Sequence, residues 1–314
     1  MVPPAPRAPA VPATMALIAV MVATFLLSIV MGGGLEGSQD PDVLYRLGAQ
    51  DAPSIWHGEW WRLVTAVFLH AGPVHLAANG FSLYVLGRVI EPTLGMPRYL
   101  VLFFVSGLVS GLATLVFVQD TLGVGASGAV FGLAGLLLAD ELTRRRMYRR
   151  IALEGGPRWR PRVSIIPILL LNLALGLVIP IINMYAHVGG LVAGFLLGTA
   201  WIERNMRRRT RSRLAYLALG LLIVVLGAAG FRPVYTGEAA EHAASRAIIA
   251  ANHGLLDEAL AFADEAVDLA PRDPRFLQIR AQIHARRGDM AAALADAQAA
   301  CDAGLAEACR ALNP

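Results

Sequence analysis

The chain has 314 residues, of which 56% are hydrophobic and 16% are charged, and its formal net charge is +4. This composition is too apolar for an ordinary soluble globular protein. It predicts an integral membrane protein, and all 27 of its basic residues are arginines.

Seven apolar runs are candidate transmembrane helices, although the second and fourth are short. They cover residues 14–32, 76–90, 99–118, 127–141, 163–180, 186–202 and 214–231. We therefore expect an all-α polytopic membrane protein. The first run is interpreted as a retained helix rather than a signal peptide, because six further runs follow and no small-residue cleavage pattern ends it. The Pro/Ala-rich segment before it, residues 1–13, is expected to be disordered.

The arginines predict the orientation of the helices. They crowd the connections 144–162 and 204–213, whereas the alternate connections 119–126 and 181–186 contain none. Because positively charged loops stay on the cytoplasmic side, we expect the arginine-rich connections and the N-terminus there, in a cell membrane of bacterial type. Seven spans then leave the C-terminal segment outside. The basic clusters lie beside helix ends, so topology and anionic-lipid contacts explain them better than nucleic-acid binding does.

Residues 35–68 form a connection that is too polar to span the bilayer but is rich in tryptophan. Trp56, Trp60 and Trp61 precede Arg62. Amphipathic aromatic side chains settle at the level of the lipid headgroups. We expect an outer loop that is partly embedded in the membrane.

The C-terminal segment 238–314 is alanine-rich and charged, and it contains an internal repeat of 34 residues. The matching pairs are Gly254 and Gly288, Ala259 and Ala293, Leu260 and Leu294, Ala263 and Ala297, and Ala266 and Ala300. This is the period of tetratricopeptide repeats, which present a groove to a peptide or a protein partner. The alternative is a helical hairpin that only caps the fold. We favour the repeats, with a protein partner or self-association stabilising the short array.

Cys301 and Cys309 are the only cysteines, and they lie eight residues apart in this tail. In an extracytoplasmic compartment they can form a disulfide that closes the last helical hairpin. Two free thiols in a small helical domain are the alternative. The sequence leaves both interpretations open.

Ser127 stands at the outward end of the fourth apolar run, and His187 at the outward start of the sixth. Polar residues in a membrane span are costly unless they face a cavity or one another. A serine at a helix start is a good cap, which is the simpler interpretation. It is also a candidate nucleophile, with His187 as its general base and the N–H groups of the helix start as donors to an oxyanion.

Glycines recur at four-residue spacing just inside both of these residues. They are Gly128 and Gly132 in one run, and Gly190, Gly194 and Gly198 in the other. Bare faces of this kind let helix backbones approach closely, so we expect the two helices to pack together and to bring Ser127 near His187. Tight packing without catalysis is the alternative. Asn183 and Tyr185 are further polar candidates close to His187.

His70, His75 and Asn79 form a third polar group, at the outward end of the second run. His75 and Asn79 are four residues apart and share a helix face, so their donors can complete an oxyanion hole with the N–H of Ser127. A metal site at His70 and His75 is a weaker interpretation, because a five-residue spacing does not place both on one face and no carboxylate or thiolate joins them. No acidic residue lies at the depth of His187, so the catalytic unit is expected to be a dyad.

Four motifs resemble those of the rhomboid intramembrane serine proteases. They are WWRLVTAVFLHAGPVHLAANG at 60–80, EPTLG at 91–95, GASG at 125–128 and AHVGGLVAG at 186–194. The motifs fall in the family order, each at the expected helix end, and the resemblance covers residues 14–203.

The resemblance implies a role for each matching residue. Ser127 matches the nucleophile and His187 the general base, while His75, Asn79 and the N–H of Ser127 match the oxyanion donors. The residues that it implies to be structural are Trp61, Arg62, His70, Glu91, Gly125, Gly128, Gly190 and Gly194. It implies no cofactor and no metal.

The resemblance also implies a six-helix core that cleaves transmembrane-helix substrates, usually single-pass proteins of the lipid bilayer, near the outer membrane face. The expected domains are this core at 14–203, a basic cytoplasmic loop at 204–213, a seventh transmembrane helix at 214–231 and a small α-helical repeat domain at 238–314. One alternative is a non-catalytic membrane-embedded binding protein that holds transmembrane clients. Another is a transporter with a histidine proton relay, which gives no reason for the glycine-rich serine loop.

Overall fold

The computed structural model describes residues 10–56, 58–118, 122–153, 164–178, 183–206, 209–230, 236–252 and 254–312. Within these residues the regular structure is helical, apart from one isolated antiparallel bridge between Gln50 and Gly123. The chain divides into two compact units, Met1–Gly230 and Phe231–Pro314.

The described part of the first unit contains seven long helices and three short ones. They are α1 (Pro12–Met31), α2 (Pro41–Arg46), α3 (Ala52–Trp56), α4 (Arg62–Thr65), α5 (Pro73–Leu94), α6 (Met96–Phe117), α7 (Ser127–Leu153), α8 (Ile165–Val178), α9 (Met184–Asn205) and α10 (Arg209–Gly230). Short 3-10 turns cover Leu35–Ser38 and Ala66–Phe68. The short helices α2 to α4 belong to the predicted outer loop.

Each of the seven predicted spans corresponds to one long helix. Among the residues that the structure describes, four helices are long and apolar enough to cross a membrane by length and composition: Pro12–Met31, Met96–Phe117, Met184–Asn205 and Arg209–Ala229. The fold is therefore that of an all-α polytopic membrane protein, as the sequence predicts. Most of the segment 1–13 lies outside the described residues, and α1 already begins at Pro12.

The arginine-rich connections are shorter than the sequence predicts. Helix α7 continues to Leu153, so the arginines at 144–150 lie on a helix and not in a loop. Helix α9 ends at Asn205 and α10 begins at Arg209, which leaves little of the predicted loop 204–213. Arginine is a good helix former, so the helices extend past the ends of the apolar runs.

Helices α7 and α9 pack so closely that their backbones touch. A β-carbon on Gly190 would overlap the carbonyl oxygen of Gly128, and one on Gly194 would overlap the carbonyl oxygen of Gly132. A side chain of any size would prevent this approach. The two glycine faces that the four-residue spacing predicts therefore lie against each other.

Helix α6 packs against the same glycines with small polar residues. A β-carbon on Gly128 would overlap the hydroxyl oxygen of Ser110, and one on Gly132 would overlap that of Ser106. Tyr99 and Phe103 of α6 are fully buried in the core of the unit. Helices α6, α7 and α9 thus form one tightly packed group.

Glu91, near the end of α5, anchors the start of α1. Its carboxylate accepts the backbone N–H groups of Ala13 at 2.9 Å and Thr14 at 2.8 Å, and the Thr14 hydroxyl at 2.6 Å. The first N–H groups of a helix have no acceptor within the helix, and the helix dipole favours a negative charge there. The buried carboxylate therefore satisfies donors that lipid cannot satisfy.

Glu141 on α7 anchors the start of α8 in the same way. It accepts the backbone N–H of Ile165 at 2.9 Å and the hydroxyl of Ser164 at 2.7 Å. Arg145, one turn further along α7, pairs with it at 2.6 Å. Two helix starts of the first unit are thus held by carboxylates from other helices.

The second unit is built from five helices among its described residues. They are α11 (Thr236–Asn252), α12 (Leu256–Leu269), α13 (Pro274–Arg287), α14 (Met290–Asp302) and α15 (Ala306–Leu312). The predicted repeat glycines, Gly254 and Gly288, both have positive φ, 75° and 86°, and each lies two residues before a helix. A disulfide between Cys301 and Cys309 joins α14 to α15.

Replacing Gly194 by alanine is expected to destabilise the first unit, because the new β-carbon meets the backbone of Gly132, which cannot rotate away. Overpacking of a close helix contact costs about 1–3 kcal/mol or more. Thermal unfolding in detergent micelles measures the effect. The matched control is Gly220→Ala on α10, where nothing lies within 4 Å of the new β-carbon. Equal melting temperatures for the two variants would contradict the proposed role of the α7–α9 contact.

Candidate active site

Ser127 is the first residue of α7 and is half-buried. The preceding residue, Ala126, is fully buried, and its carbonyl accepts the N–H of Val130 at 2.9 Å, which starts the helix. The N–H of Ser127 is therefore among the helix-start donors that have no acceptor within the helix. Both the hydroxyl and this N–H belong to one short stretch of backbone.

Gly125 brings the loop before Ser127 against α5. Its φ of +117° lies in a region that side-chain-bearing residues rarely adopt, and its N–H donates to the carbonyl of Ala66 at 2.9 Å. A β-carbon on Gly125 would lie 2.7 Å from Cε1 and 2.8 Å from Nε2 of His75, and 3.9 Å from Nδ2 of Asn79. The structure thus brings His75 and Asn79 to the serine loop, and a glycine is required at their contact.

His187 lies in the first turn of α9, at the same end of the packed helix group as Ser127. Its ring stacks on Phe131 of α7 with a centroid distance of 4.2 Å and an interplanar angle of 14°. Phe131 is one turn beyond Ser127. A β-carbon on Gly128 would lie 3.3 Å from the carbonyl oxygen of Ala186, so the residues next to Ser127 and His187 are in contact.

The surroundings of His187 contain no acidic partner among the described residues. Its Nδ1 is buried, and within the described part of the chain it has no hydrogen-bond partner. The stacked Phe131 ring, and not a carboxylate, fixes the plane of the imidazole.

Asn183 and Tyr185, the other polar candidates near His187, make contacts that position α9. The Asn183 side chain accepts the N–H of Ala186 at 3.0 Å, which caps the helix, and donates to the Thr114 hydroxyl of α6 at 3.0 Å. Tyr185 stacks on a phenylalanine of α6 with the centroids 4.6 Å apart. These contacts fix the start of α9, and with it His187, to the end of α6.

The ring of His70 packs against the ring of His75. The two rings meet edge to face, with centroids 5.1 Å apart, and His70 is only 1% exposed. Nδ1 of His70 is hydrogen-bonded to the carbonyl of Phe68 at 3.1 Å. Asn79 is also buried, and one of its amide hydrogens goes to the carbonyl of His75 at 3.0 Å.

The described residues contain no group of three or more acidic, cysteine or histidine side chains suited to a metal ion.

Arg62 joins several parts of the predicted outer loop, residues 35–68. It is 4% exposed, and it donates to the carbonyls of Tyr45 at 2.7 Å and Ala49 at 3.0 Å. Its guanidinium also pairs with Glu59 at 2.6 Å and lies over the ring of Trp61, 4.7 Å from the centroid. The sequence analysis names Trp61 and Arg62 but not Glu59. A glutamate three residues before an arginine is the pattern that indicates this ion pair.

Glu91 does not belong to this site. It lies 16 residues after His75 on α5, about 24 Å along the helix axis. Its hydrogen bonds to α1 are those of a helix anchor. The structure thus separates the matched residues into a group around Ser127 and an anchor at the opposite end of α5.

Gln50 is a buried residue near the site that sequence reasoning missed. Its backbone exchanges two hydrogen bonds with Gly123, both of 2.8 Å, at the start of the serine loop. Its side-chain amide donates to the carbonyl of Gly111 on α6 at 2.9 Å. Gln50 therefore joins the outer loop, α6 and the serine loop. Nothing in the local sequence signals this role, because its partners are 61 and 73 residues away.

Replacing Gln50 by alanine is expected to loosen the serine loop while the protein stays folded. Removing one buried hydrogen bond costs about 1 kcal/mol, so amide hydrogen exchange at residues 122–126 is expected to speed up about fivefold. Exchange measured by mass spectrometry on the purified protein tests this. The matched control is Gln298→Ala in the second unit, whose amide makes only an exposed hydrogen bond. Unchanged exchange at 122–126 in the Gln50 variant would contradict the role of the Gln50 side chain in holding the serine loop.

Comparison with known proteins gives matches to the part of the chain that holds this site. A family model described as the Rhomboid domain matches residues 57–204. The chain is 34% identical over 183 residues to Rhomboid protease GluP of Bacillus subtilis, covering 58% of this chain and 33% of that protein. It is 36% identical over 162 residues to RHOMBOID-like protein 1 of Arabidopsis thaliana, covering 51% and 40%.

A further match covers most of a shorter relative. The chain is 37% identical over 153 residues to the candidate rhomboid protease YdcA of Bacillus subtilis, covering 48% of this chain and 72% of that protein. Of GluP and RHOMBOID-like protein 1, in contrast, the chain spans well under half of the length. The Rhomboid-domain match contains Ser127 and His187 together with His75 and Asn79.

Proposed function

The chain belongs to the rhomboid family, and from this premise we propose that it is a serine-type intramembrane endopeptidase with Ser127 as nucleophile and His187 as general base. One observation carries the proposal. Ser127 starts α7 and His187 lies in the first turn of α9, and the glycine contact holds these two helix ends side by side. A polar pair of this kind inside an apolar bundle requires a functional reason.

The proposed reaction is acyl transfer. His187 takes the proton of the Ser127 hydroxyl as the oxygen attacks the peptide carbonyl, and it then gives that proton to the leaving amine. A water molecule, deprotonated by His187 in turn, hydrolyses the acyl-enzyme ester and releases Ser127. The stacked ring of Phe131 keeps the imidazole in one plane through these steps.

The negative charge of the tetrahedral intermediate requires donors held in place before the reaction. We assign this role to the N–H of Ser127 and to the side chains of His75 and Asn79. The contact of Gly125 with the His75 ring supports the assignment, because it places both side chains beside the serine loop. The Asn79 amide has a second hydrogen besides the one that it donates to the carbonyl of His75.

The proposed substrates are single-pass transmembrane proteins, cleaved near the outer face of the membrane. The arginine distribution supports this orientation, since Arg144, Arg145 and Arg204 lie at the ends of α7 and α9 that are remote from Ser127. The reactive pair then lies at the outer ends of its helices. A scissile bond at that depth is reached by the outer part of a substrate helix.

Ser127→Ala and His187→Ala are each expected to reduce cleavage of a model transmembrane substrate at least about a thousandfold in proteoliposomes, because each removes one member of the reacting pair. The control is Ser245→Ala, an exposed serine of the second unit, which is expected to keep full activity. Product formation is followed by gel and mass spectrometry. Cleavage that survives in both site variants would refute the mechanism.

The alternative proposal is a non-catalytic membrane protein that binds transmembrane clients. A fluorophosphonate separates the two, because it labels a serine only where a base and oxyanion donors activate it. Labelling of the wild type that Ser127→Ala abolishes supports the protease. An unlabelled wild type that still binds a transmembrane client supports the scaffold.

We further propose that the second unit is a short tetratricopeptide-like array. Helices α12 and α14 begin 34 residues apart, at Leu256 and Met290, in step with the sequence repeat. Each repeat also has an arginine that reaches a residue 16 positions later. The guanidinium carbon of Arg246 lies 3.8 Å from the ring centroid of Phe262, and the guanidinium of Arg280 pairs with the carboxylate of Asp296 at 2.8 Å.

This array is proposed to bind a protein partner, or a second copy of the chain, outside the cytoplasm. The disulfide between Cys301 and Cys309 supports that location, since disulfides persist in oxidising compartments. After mild reduction of intact cells, a membrane-impermeant maleimide is expected to label both cysteines. The control is a variant with Gln39→Cys in the outer loop. Protection of Cys301 and Cys309 while Cys at 39 reacts would place the array on the other side.

A further inference from the structure

A small cleft lies at the end of the first unit that is remote from Ser127. Its volume is about 120 Å³, and it is lined by Arg98 in the first turn of α6, by Trp201, Arg204 and Asn205 in the last turns of α9, and by Tyr216 of α10. Sites for drug-sized ligands measure about 300–1,000 Å³. The cleft therefore suits a small group and not an organic substrate.

The two arginines of the cleft have no carboxylate partner within the described part of the chain. Arg98 and Arg204 make no ion pair there, whereas Arg144 on α7 pairs with its own acidic neighbour at 2.7 Å. The nearby carboxylate of Glu203 is buried and faces Arg211 at 3.5 Å. Two exposed guanidinium groups without a carboxylate partner among the described residues thus line one cleft.

The start of α6 adds to this positive potential, whereas the last turn of α9 brings the negative end of its helix dipole to the same cleft. Helix α6 has no acidic residue in its first turn. A helix start favours a negative charge, yet α6 carries Arg98 there. An anion in the cleft removes this conflict, because it meets both the helix start and the guanidinium groups.

The remaining lining matches a phosphate group. The indole of Trp201 can only donate a hydrogen bond, and the hydroxyl of Tyr216 and the amide of Asn205 can donate as well. Guanidinium groups bind phosphate oxygens in pairs, which a carboxylate-free cleft leaves them able to do. The donor set thus exceeds what a chloride ion or a single water molecule would use.

The neighbouring surface matches a lipid. Leu214, Leu217 and Leu221 are exposed on one face of α10, in the same turns as Tyr216 but on a different side of the helix. Tryptophan and tyrosine at helix ends lie at the level of lipid headgroups. Acyl chains can follow that leucine face while the headgroup enters the cleft.

We propose that the cleft between the start of α6, the end of α9 and the start of α10 binds a phosphate group, supplied by the headgroup of an anionic phospholipid. The site is separate from Ser127 and does not depend on the proposed protease activity. Arg98 and Arg204 bind the phosphate oxygens, and Tyr216 and Trp201 border them.

Native mass spectrometry of the full chain, released from nanodiscs, tests the proposal. The nanodiscs contain equal parts of phosphatidylglycerol and phosphatidylcholine. The wild type is expected to retain phosphatidylglycerol in preference. The double variant Arg98→Gln with Arg204→Gln is expected to retain about tenfold less, because two sets of charge-assisted hydrogen bonds are lost. Equal retention of both lipids by the wild type overturns the proposal without reference to any variant.

The matched control is Arg149→Gln with Arg150→Gln, which removes the same charge from the exposed end of α7. It is expected to retain phosphatidylglycerol like the wild type. An equal loss in both double variants means diffuse attraction to basic residues and overturns the site. A parallel titration of the detergent-purified protein with inorganic phosphate distinguishes the source. Binding that needs both arginines but occurs only with free phosphate supports the phosphate site and overturns the lipid as its ligand.

Discussion

The main-chain contact between α7 and α9 is the constraint on which the rest of the first unit depends. Gly190 and Gly194 lie against the carbonyl groups of Gly128 and Gly132, at a distance that excludes any side chain. Inside a membrane, helices gain little from hydrophobic association with each other, so close van der Waals contact provides much of the attraction. Because the contact is made by backbones, it fixes the relative height of the two helices. The same contact therefore fixes the relative height of Ser127 and His187, which lie at the ends of these helices.

Buried polar groups at the helix ends complete the architecture. Glu91 and Glu141 each accept the first N–H groups of another helix, so donors that would otherwise meet lipid are satisfied. At the other end, Gln50 and Gly125 use backbone and amide hydrogen bonds to hold the serine loop. Hydrogen bonds between distant segments thus hold the starts of α1 and α8 and the loop before α7.

The sequence predicts the parts of this structure that depend on local periodicity. Apolar runs place the seven long helices, and the spacing of Gly128, Gly132, Gly190 and Gly194 predicts which two helices touch. Contacts between distant segments carry no such signal. The Gln50 side chain bonds a residue 61 positions away, and the Phe131 ring that holds His187 is a core residue by its local pattern. The apolar runs also end earlier than helices α7 and α9, because an arginine ends an apolar run without ending a helix.

The anchoring of α1 by Glu91 bears on the timing of biosynthesis. Ala13 and its acceptor are separated by 78 residues, so the carboxylate does not exist when α1 leaves the ribosome. At a synthesis rate of about 5–20 residues per second, the delay is about 4–16 s. During that interval the start of α1 must satisfy its N–H groups with water or lipid headgroups. The hydrogen bonds that tie the start of α1 to α5 therefore form only after α5 has been made.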